Sequence, residues 1–451
     1  MSAMPEGLLV SWYGDDFTGS AATMEVLEFA GLPSVLFLKQ PTAEQLARFP
    51  NIRGLGIAST ARAHSPEWMD KNLPAAFAFL KSSGAAICHY KICSTLDSSP
   101  TSGSVGRAID LAKPIMQSPW IPCQVAAPVM RRYQAFGNLF AAAGDSVFRL
   151  DRHPVMARHP VTPMAEADVT EHLSHQTDAK FGLMDIENLQ RDPAAHLHSL
   201  LAKGAEVISC DAMTEQDIAC LGQLYWESAP LFAVGSQGVE YSLVAHWRKQ
   251  GWIPSADRNH SAGPVEQMLA VSGSVSPVTA QQIDWAAANG FELIELDASR
   301  AAMDDRHLEV EVKQTALAAL ARGLDPLIYS ARGPDDPAVA RLRATLEREQ
   351  ISMDQANSRI GAALGRVLAG LIHTTGIRRA VISGGDTSGY VSRELDLYAF
   401  TALAPTIPGA SLLQAHSDNP DLAGLQLALK GGQMGSADYF GWIKRGAGAT
   451  Q

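Results

Sequence analysis

Along the chain, short apolar runs alternate with segments in which apolar residues recur every three or four positions. In the first half, LLVSWY (residues 8–13), SVLFL (34–38), IRGLGIA (52–58), AAICHY (85–90) and CQVAA (123–127) have the length and composition of strands. Between them, Ala21–Ala30, Trp68–Lys81 and Val105–Leu111 carry helical spacing, and Gly31 stands where a helix C-terminal glycine belongs. Such alternation predicts a parallel sheet covered on both faces. The rhythm breaks at Ile253–Pro264, IPSADRNHSAGP, a polar stretch with two prolines and a glycine that reads as a linker. It resumes with a strand and helix in QMLAVSGSVSPVTAQQIDWAAANG, the strands FELIELD and DPLIYSARG, a long helical pattern over Asp354–His373, and a buried strand ending at Ile382. The expected fold is α/β with two domains, residues 1–252 and 265–451, each a mostly parallel sheet flanked by helices. The active site is expected in the inter-domain cleft, since open α/β sheets bind ligands at the carboxyl ends of their strands.

Composition supports two cores: the chain has 451 residues, 46% hydrophobic and 18% charged. Lys and Arg total 36 against 47 Asp and Glu, a formal net charge of −11. That balance disfavours a sequence-independent grip on nucleic acid or an anionic membrane, while leaving room for a local basic pocket. The five cysteines, Cys88, Cys93, Cys123, Cys210 and Cys220, form no CxxC pair and no zinc-type spacing. They suit a reduced interior, and no apolar run approaches the length of a membrane span, so a cytoplasmic location is expected.

Candidate chemistry gathers at strand ends. YGDDFTGS, Tyr13–Ser20, places two adjacent acids after the first strand and before a helix. One carboxylate there can be an N-cap; two in a row are tolerated best where a ligand hydroxyl, a cation or a metal relieves their repulsion. HYKICSTLDSSPTSGSVGRAID, His89–Asp110, sends Lys91 out of a strand toward a hydroxyl-rich loop and a helix start. This reads either as a cradle for a small polyhydroxylated anion or as a Ser-rich surface loop. In DRHPVMARHPVTPM, Asp151–Met164, His153 and His159 each precede a proline, so the segment is extended. Their spacing, with His172 and His175 nearby, matches no common zinc pattern. A substrate-lining loop or a plain connection fits better.

Three further loops share one design. VSGSVSPVT (271–279), RAVISGGDTSGY (379–390) and LKGGQMGSADYF (429–440) each follow a strand with small residues and lead toward a helix, the one after GGDTSG predicted to begin near Tyr390. Any one could be a tight turn capped by Asp386 or Thr387 in the second case; three in one domain point to a polyphosphate. GxxxxGK[ST] and GxGxxG are both absent. VGSQGVEY (234–241) is a similar turn to which the sequence alone gives no role.

Together these stretches resemble the four-carbon acid sugar kinases, long catalogued as a domain of unknown function: DDFTG, K-x-x-S-T, G-S-x-S and GGDTSG occur in that family's order. The resemblance implies an N-terminal domain for a sugar acid, a C-terminal domain for ATP, and phosphorylation of tetronates or 3-oxo-tetronates with Mg²⁺. It implies that Asp15, Asp16 and Thr18 touch the substrate and that Lys91, Ser94 and Thr95 line its acid-binding pocket. Ser274, Ser276, Gly384, Gly385, Asp386, Thr387, Ser388 and Gly432 would line the nucleotide site; no metal ligands are assigned. Two departures stand out. The family's Leu-Arg-Gly turn after K-x-x-S-T, whose arginine helps hold the substrate carboxylate, is replaced by Leu96-Asp97-Ser98-Ser99, and Gly14 precedes the paired acids. Lys91, or one of Arg107, Arg131, Arg152 and Arg158, is the candidate replacement for the arginine. With the RHPVTPM stretch, these departures suggest a subgroup acting on a branched or longer acid sugar, or an oxo acid.

Phosphoryl transfer needs in-line positioning, charge neutralisation and often a carboxylate to take the proton. The general base is either Asp16 or Asp386; the preferred reading gives Asp16 substrate positioning and the base role, with Asp386 near the metal or the transferring phosphate. The expected partners are a small sugar acid and ATP, with a homodimer as a candidate assembly. A sugar-phosphate isomerase or aldolase and a non-catalytic sugar-acid sensor are the alternatives. The paired acids argue against the sensor, and three phosphate-type loops argue against a single phosphate.

Overall fold

The computed structural model describes residues 4–159 and 161–448. The chain packs as two compact units, Met1–Arg258 and Asn259–Gln451. The boundary falls inside the polar segment read as a linker, and each end of that segment is pinned to its own unit. Arg258 N–H donates to Phe29 O at 2.7 Å, and Ala262 N–H donates to Gly446 O at 2.8 Å.

In the first unit eight strands run in the order Phe181–Met184, Val207–Cys210, Ile121–Gln124, Leu231–Gly235, Ile87–Lys91, Val10–Gly14, Gly54–Ala58 and Ser34–Phe37. Every neighbouring pair is parallel. The central strands are buried along their whole length, as a sheet covered on both faces requires. The predicted helices are present as Phe17–Phe29, Pro66–Ser82 and Val105–Met116. Gly31, just past the first of them, has φ +94°, a left-handed conformation that glycine adopts without a Cβ penalty. A three-stranded antiparallel sheet, Arg132–Ala135, Asn138–Ala143 and Ser146–Arg149, is inserted after the strand Ile121–Gln124.

In the second unit five parallel strands run in the order Phe291–Glu295, Asp325–Tyr329, Leu269–Ser272, Arg379–Ser383 and Gln426–Lys430. Leu412–Ser417 and Leu397–Ala404 extend the sheet antiparallel. The mostly parallel character expected from the sequence holds in both units. The long helix spans Met353–Thr375, opened by a capping box between Ser352 and Gln355 and closed by Gly376 at φ +72°. One boundary differs from expectation. The helix expected near Tyr390 begins at Gly385, so Asp386, Thr387 and Ser388 lie in its first turn, and its N-cap is Gly384, not Asp386 or Thr387. Gly384 adopts φ +124°, a backbone conformation available in practice only to glycine.

Among the described residues, no helix is long and apolar enough to cross a membrane, and the five cysteines are free thiols.

Candidate active site

The two acids of DDFTG do different work. Asp15 is 1% exposed. Its carboxylate receives Arg62 Nε and Nη2 at 3.1 and 2.7 Å, a side-on bidentate pair. Asp16 caps the helix Phe17–Phe29 by accepting from Gly19 N–H at 2.9 Å, and the same oxygen lies 2.9 Å from Arg62 Nη2. The cation that relieves the paired acids is therefore a side chain of the chain itself. Burial raises the pKa of Asp15, opposed by the Arg62 charge and reinforced by Asp16. Burial would lower that of Arg62, yet Asp15 and Asp16 together hold it well above its ordinary value. Sequence reasoning missed Arg62. It sits on a short turn, Ala61–Ala63, that reaches Asp15 only because the strand Gly54–Ala58 pairs with Val10–Gly14.

Lys91 ends the strand on the other side of Val10–Gly14 and is 1% exposed. Its Nζ donates to Ile92 O at 2.6 Å and lies beside Gly19, where an added Cβ would come within 2.6 Å of Nζ and 2.4 Å of Asp16 Oδ1. Gly14 is explained similarly: a Cβ there would fall 1.7 Å from Ser20 Oγ. Thr95 is turned toward Cys93 Sγ at 3.0 Å, while Thr18 and Ser94 are half-buried on the same two segments. Beneath Lys91's strand, His89 Nδ1 meets Glu240 at 2.7 Å and Nε2 faces Gly235 O at 3.0 Å, all fully buried. VGSQGVEY thus delivers the helix residue that ties two central strands together.

The segment that replaces the family's arginine turn meets the RHPVTPM stretch. Thr162, from RHPVTPM, hydrogen-bonds Asp97 through its hydroxyl, and His159 Nδ1 lies 2.9 Å from that hydroxyl. Ser98 is held by His172 at 3.0 Å and Gln176 at 3.1 Å. Burial pushes His172 down to about 4, so it is neutral near pH 7. Each histidine is thus engaged in loop structure, and among the described residues no group of three or more His, Cys, Asp or Glu could hold a metal.

In the second unit the three small-residue loops converge at the carboxyl ends of Leu269–Ser272, Arg379–Ser383 and Gln426–Lys430. A cavity of about 410 Å³ opens there, within the range of small-molecule sites. Ser274, Gly384, Gly385, Asp386, Thr387 and Gly432 line it, with Ala298, Leu342, Met353, Ile360 and Tyr390 among the apolar wall. No side chain caps the helix that starts at Gly385, so its first-turn N–H groups are available to an anion. Ser276 and Ser388 support this cavity without lining it. Ser276 caps the helix Pro277–Ala287 and hydrogen-bonds Gly432 O, and Ser388 Oγ donates to Gly384 O at 2.8 Å.

Two residues beneath the loops were not assigned to the site from sequence. Thr279 Oγ1 is within 3.0 Å of Ser274 Oγ and 2.9 Å of Gly432 O, joining two loops. Lys430 is fully buried, with Nζ 3.3 Å from Thr279 Oγ1 and 3.1 Å from Gly431 O. Both partners are neutral, and burial pushes the ammonium down to about 8. A lysine before the glycines was the available signal.

Residues 10–243 match the model of a sugar-binding N-terminal domain, and residues 269–440 match that of a nucleotide-binding C-terminal domain. The chain is 45% identical to a 3-oxo-isoapionate kinase of Paraburkholderia graminis, over 99% of this chain and 96% of that protein. It is 29% identical to a 3-oxo-tetronate kinase of Methylobacterium radiotolerans, over 96% and 98%. A crystal structure from Haemophilus influenzae shares the fold, with a TM-score of 0.74 at 24% identity over 96% of this chain and 99% of that one. The chain belongs to the four-carbon acid sugar kinase family.

Proposed function

We propose that the protein transfers the γ-phosphoryl group of ATP to a hydroxyl of a branched 3-oxo sugar acid of the 3-oxo-isoapionate type, giving a phosphate ester, ADP and a proton. The observation that carries the substrate class is the 45% identity to the 3-oxo-isoapionate kinase, against 29% to the 3-oxo-tetronate kinase, both over nearly the whole chain. The contact between Asp97 and Thr162 supports it, since it joins the segment that replaces the family's arginine turn to the RHPVTPM stretch.

The reading gives the acid sugar to the first unit and the nucleotide to the second. In the first, Asp16 positions the substrate hydroxyl and takes its proton, while Arg62 bridges Asp15 and Asp16. Asp15, Thr18, Lys91, Ser94 and Thr95 complete the polar lining. In the second, the N–H groups of Gly385 to Thr387 and the loops at Ser274 and Gly432 hold the phosphates above Lys430, and the apolar wall takes the base. Mg²⁺ would neutralise the developing charge. Asp386 at the cavity edge suits an ion that arrives on the nucleotide, because Mg²⁺ commonly needs only one or two carboxylates besides phosphates and water.

The test is ADP release with Mg²⁺–ATP across sugar acids from linear four-carbon to branched five-carbon compounds and their 3-oxo forms. Release dependent on 3-oxo-isoapionate above the others is the expected result. Release with no acid, together with no thermal stabilisation by ATP–Mg²⁺, would return the isomerase and sensor readings.

A further inference from the structure

An acid substrate brings a carboxylate, and a site for it needs a cation that is not already neutralised. Arg62 is engaged by Asp15 and Asp16, and Lys91 is fully buried with its Nζ donating to the Ile92 carbonyl. The arginines offered by the sequence fare no better. Arg107 pairs with Asp70 at 2.6 Å. Arg131 gives Nη1 and Nη2 to the carbonyls of Gly144 and Asp145 at 2.7 and 2.8 Å. Arg152 and Arg158 are exposed.

Arg132 differs from all of these. It opens the first strand of the inserted sheet, held by two backbone bonds to Ala127, which lies just past the carboxyl end of Ile121–Gln124. That is the sheet edge at which DDFTG and Lys91 also end. Cys93, inside the Lys91–Thr95 segment, is close enough to feel the charges of both Arg62 and Arg132. The guanidinium is anchored by one nitrogen: Nη1 donates to the carbonyls of Met130, Arg131 and Ala142 at 3.2, 3.3 and 3.4 Å. Its Nε is buried with no hydrogen-bond partner. No carboxylate of the described residues pairs with it, and the titratable groups that face it are the Cys93 thiol and Arg131. A half-buried guanidinium with an unmade hydrogen bond and no counter-charge is unfavourable unless a ligand supplies both. The Nε–Nη2 edge is the one that receives a carboxylate side-on with two parallel bonds.

We propose that Arg132 binds the substrate carboxylate through its Nε–Nη2 edge, while Nη1 stays fixed to the three carbonyls. The inference rests on the reading that the first unit takes an acid sugar. It makes Arg132 the functional replacement for the arginine missing after Thr95, supplied from a different part of the chain.

The experiment compares the wild-type chain with Arg132→Gln and Arg132→Lys, using 3-oxo-isoapionate and its uncharged primary amide. Steady-state kinetics, calorimetric binding and thermal unfolding are measured on each. Arg132→Gln is expected to raise KM and Kd for the acid about 10- to 100-fold, the range for a charge-assisted pair. Its kcat, its KM for ATP, its unfolding midpoint and its binding of the amide should stay near wild type, and Arg132→Lys should restore part of the loss. An unchanged Kd for the acid, an equal loss on acid and amide, or a loss seen only in kcat and unfolding would overturn the proposal. Calorimetry separates the two readings. If the wild type binds the acid but releases no ADP, the kinase reading fails and Arg132 is still judged by its own Kd shift. If the wild type binds the acid no better than the amide, the role of Arg132 is overturned whatever the turnover.

Discussion

Both units carry their candidate site residues at the carboxyl ends of parallel strands, yet they equip those ends in opposite ways. The second unit uses glycine loops, hydroxyls, an uncapped helix start and a single buried lysine. The first carries acidic and basic side chains drawn from separate segments: Asp15, Asp16, Arg62, Lys91 and Arg132. A phosphate chain can be gripped by backbone N–H groups whose geometry a short contiguous motif encodes. A small acid sugar is recognised by charges and hydroxyls at particular points in space, which requires side chains from several elements. Substitutions in the first unit should therefore act through charge balance, and those in the second through the phosphates.

Arg62→Leu is the sharpest way to break this contrast. It leaves Asp15 buried beside Asp16 without their shared cation, and removing one partner of a buried pair costs about 3–5 kcal/mol. The pKa of Asp15 is already raised by burial and would rise further. A carboxylate whose folded-state pKa is raised favours the folded state at low pH and loses that contribution as pH rises through the folded value. The loss in Arg62→Leu should thus be largest near neutral pH and shrink in acid, as followed by urea unfolding from pH 4 to 8. A pH-independent loss would mean that Arg62 contributes packing and not charge.

Lys430→Met tests the other unit. If the ammonium faces the phosphates, kcat/KM for ATP should fall about 10²- to 10³-fold, the scale of losing one preorganised electrostatic contact, while adenosine binding barely changes. The wild type should also lose ATP affinity as pH rises through about 8. Free-enzyme stability moves the other way: between about 8 and the unfolded-state value of roughly 10.4, the unfolded chain holds a proton that folded Lys430 has lost, so this group's contribution grows with pH. Calorimetry with adenosine, ADP and ATP at two pH values measures the binding effects, and denaturant unfolding measures the last. Asp386→Asn should cost less, about 10²-fold in kcat with the fold intact, because in the proposed reading the exposed carboxylate acts on the nucleotide's ion or the moving phosphate, and it packs against little. Turnover near wild type would remove Asp386 from the mechanism.

The same contrast explains what could be read from the sequence. The parallel strands were legible because residues buried on both faces leave unbroken apolar runs, as in Val10–Gly14 and Leu269–Ser272. The grouping of the three small-residue loops at one cavity was legible because glycine and serine cluster where the backbone turns tightly at strand ends. The inserted sheet was not: Arg132–Ala135 and Ser146–Arg149 have four residues each and mixed burial, too short to show a period. The helix start at Gly385 was hidden by Gly-Gly-Asp, which lowers helix propensity where the fold demands a helix anyway. Arg62 escaped for a deeper reason. A charge partner is set by which strands are neighbours, and strand order leaves no local trace.

Thr162→Val is the smallest and most selective perturbation of the first unit. Thr162 is 3% exposed, and its hydroxyl joins Asp97 and His159 where the chain departs from the family pattern. Valine keeps the shape but removes the hydroxyl, so the swap is not neutral. A lost hydrogen bond to a partly buried carboxylate costs about 1–3 kcal/mol, visible as a lower unfolding midpoint. If the bridge only fastens two loops, kcat/KM for 3-oxo-isoapionate and for 3-oxo-tetronate should fall together. If it shapes the pocket for a branched acid, their ratio should move toward the linear substrate by less than about tenfold, since a change in pocket shape of one or two methylenes discriminates by only about 1–3 kcal/mol. ATP binding should be untouched either way, because every contact of Thr162 described above lies in the first unit. A shift in the ratio with unchanged ATP affinity would place substrate choice in these two segments, and a fall without a shift would send the search for it to the acids and hydroxyls around Lys91.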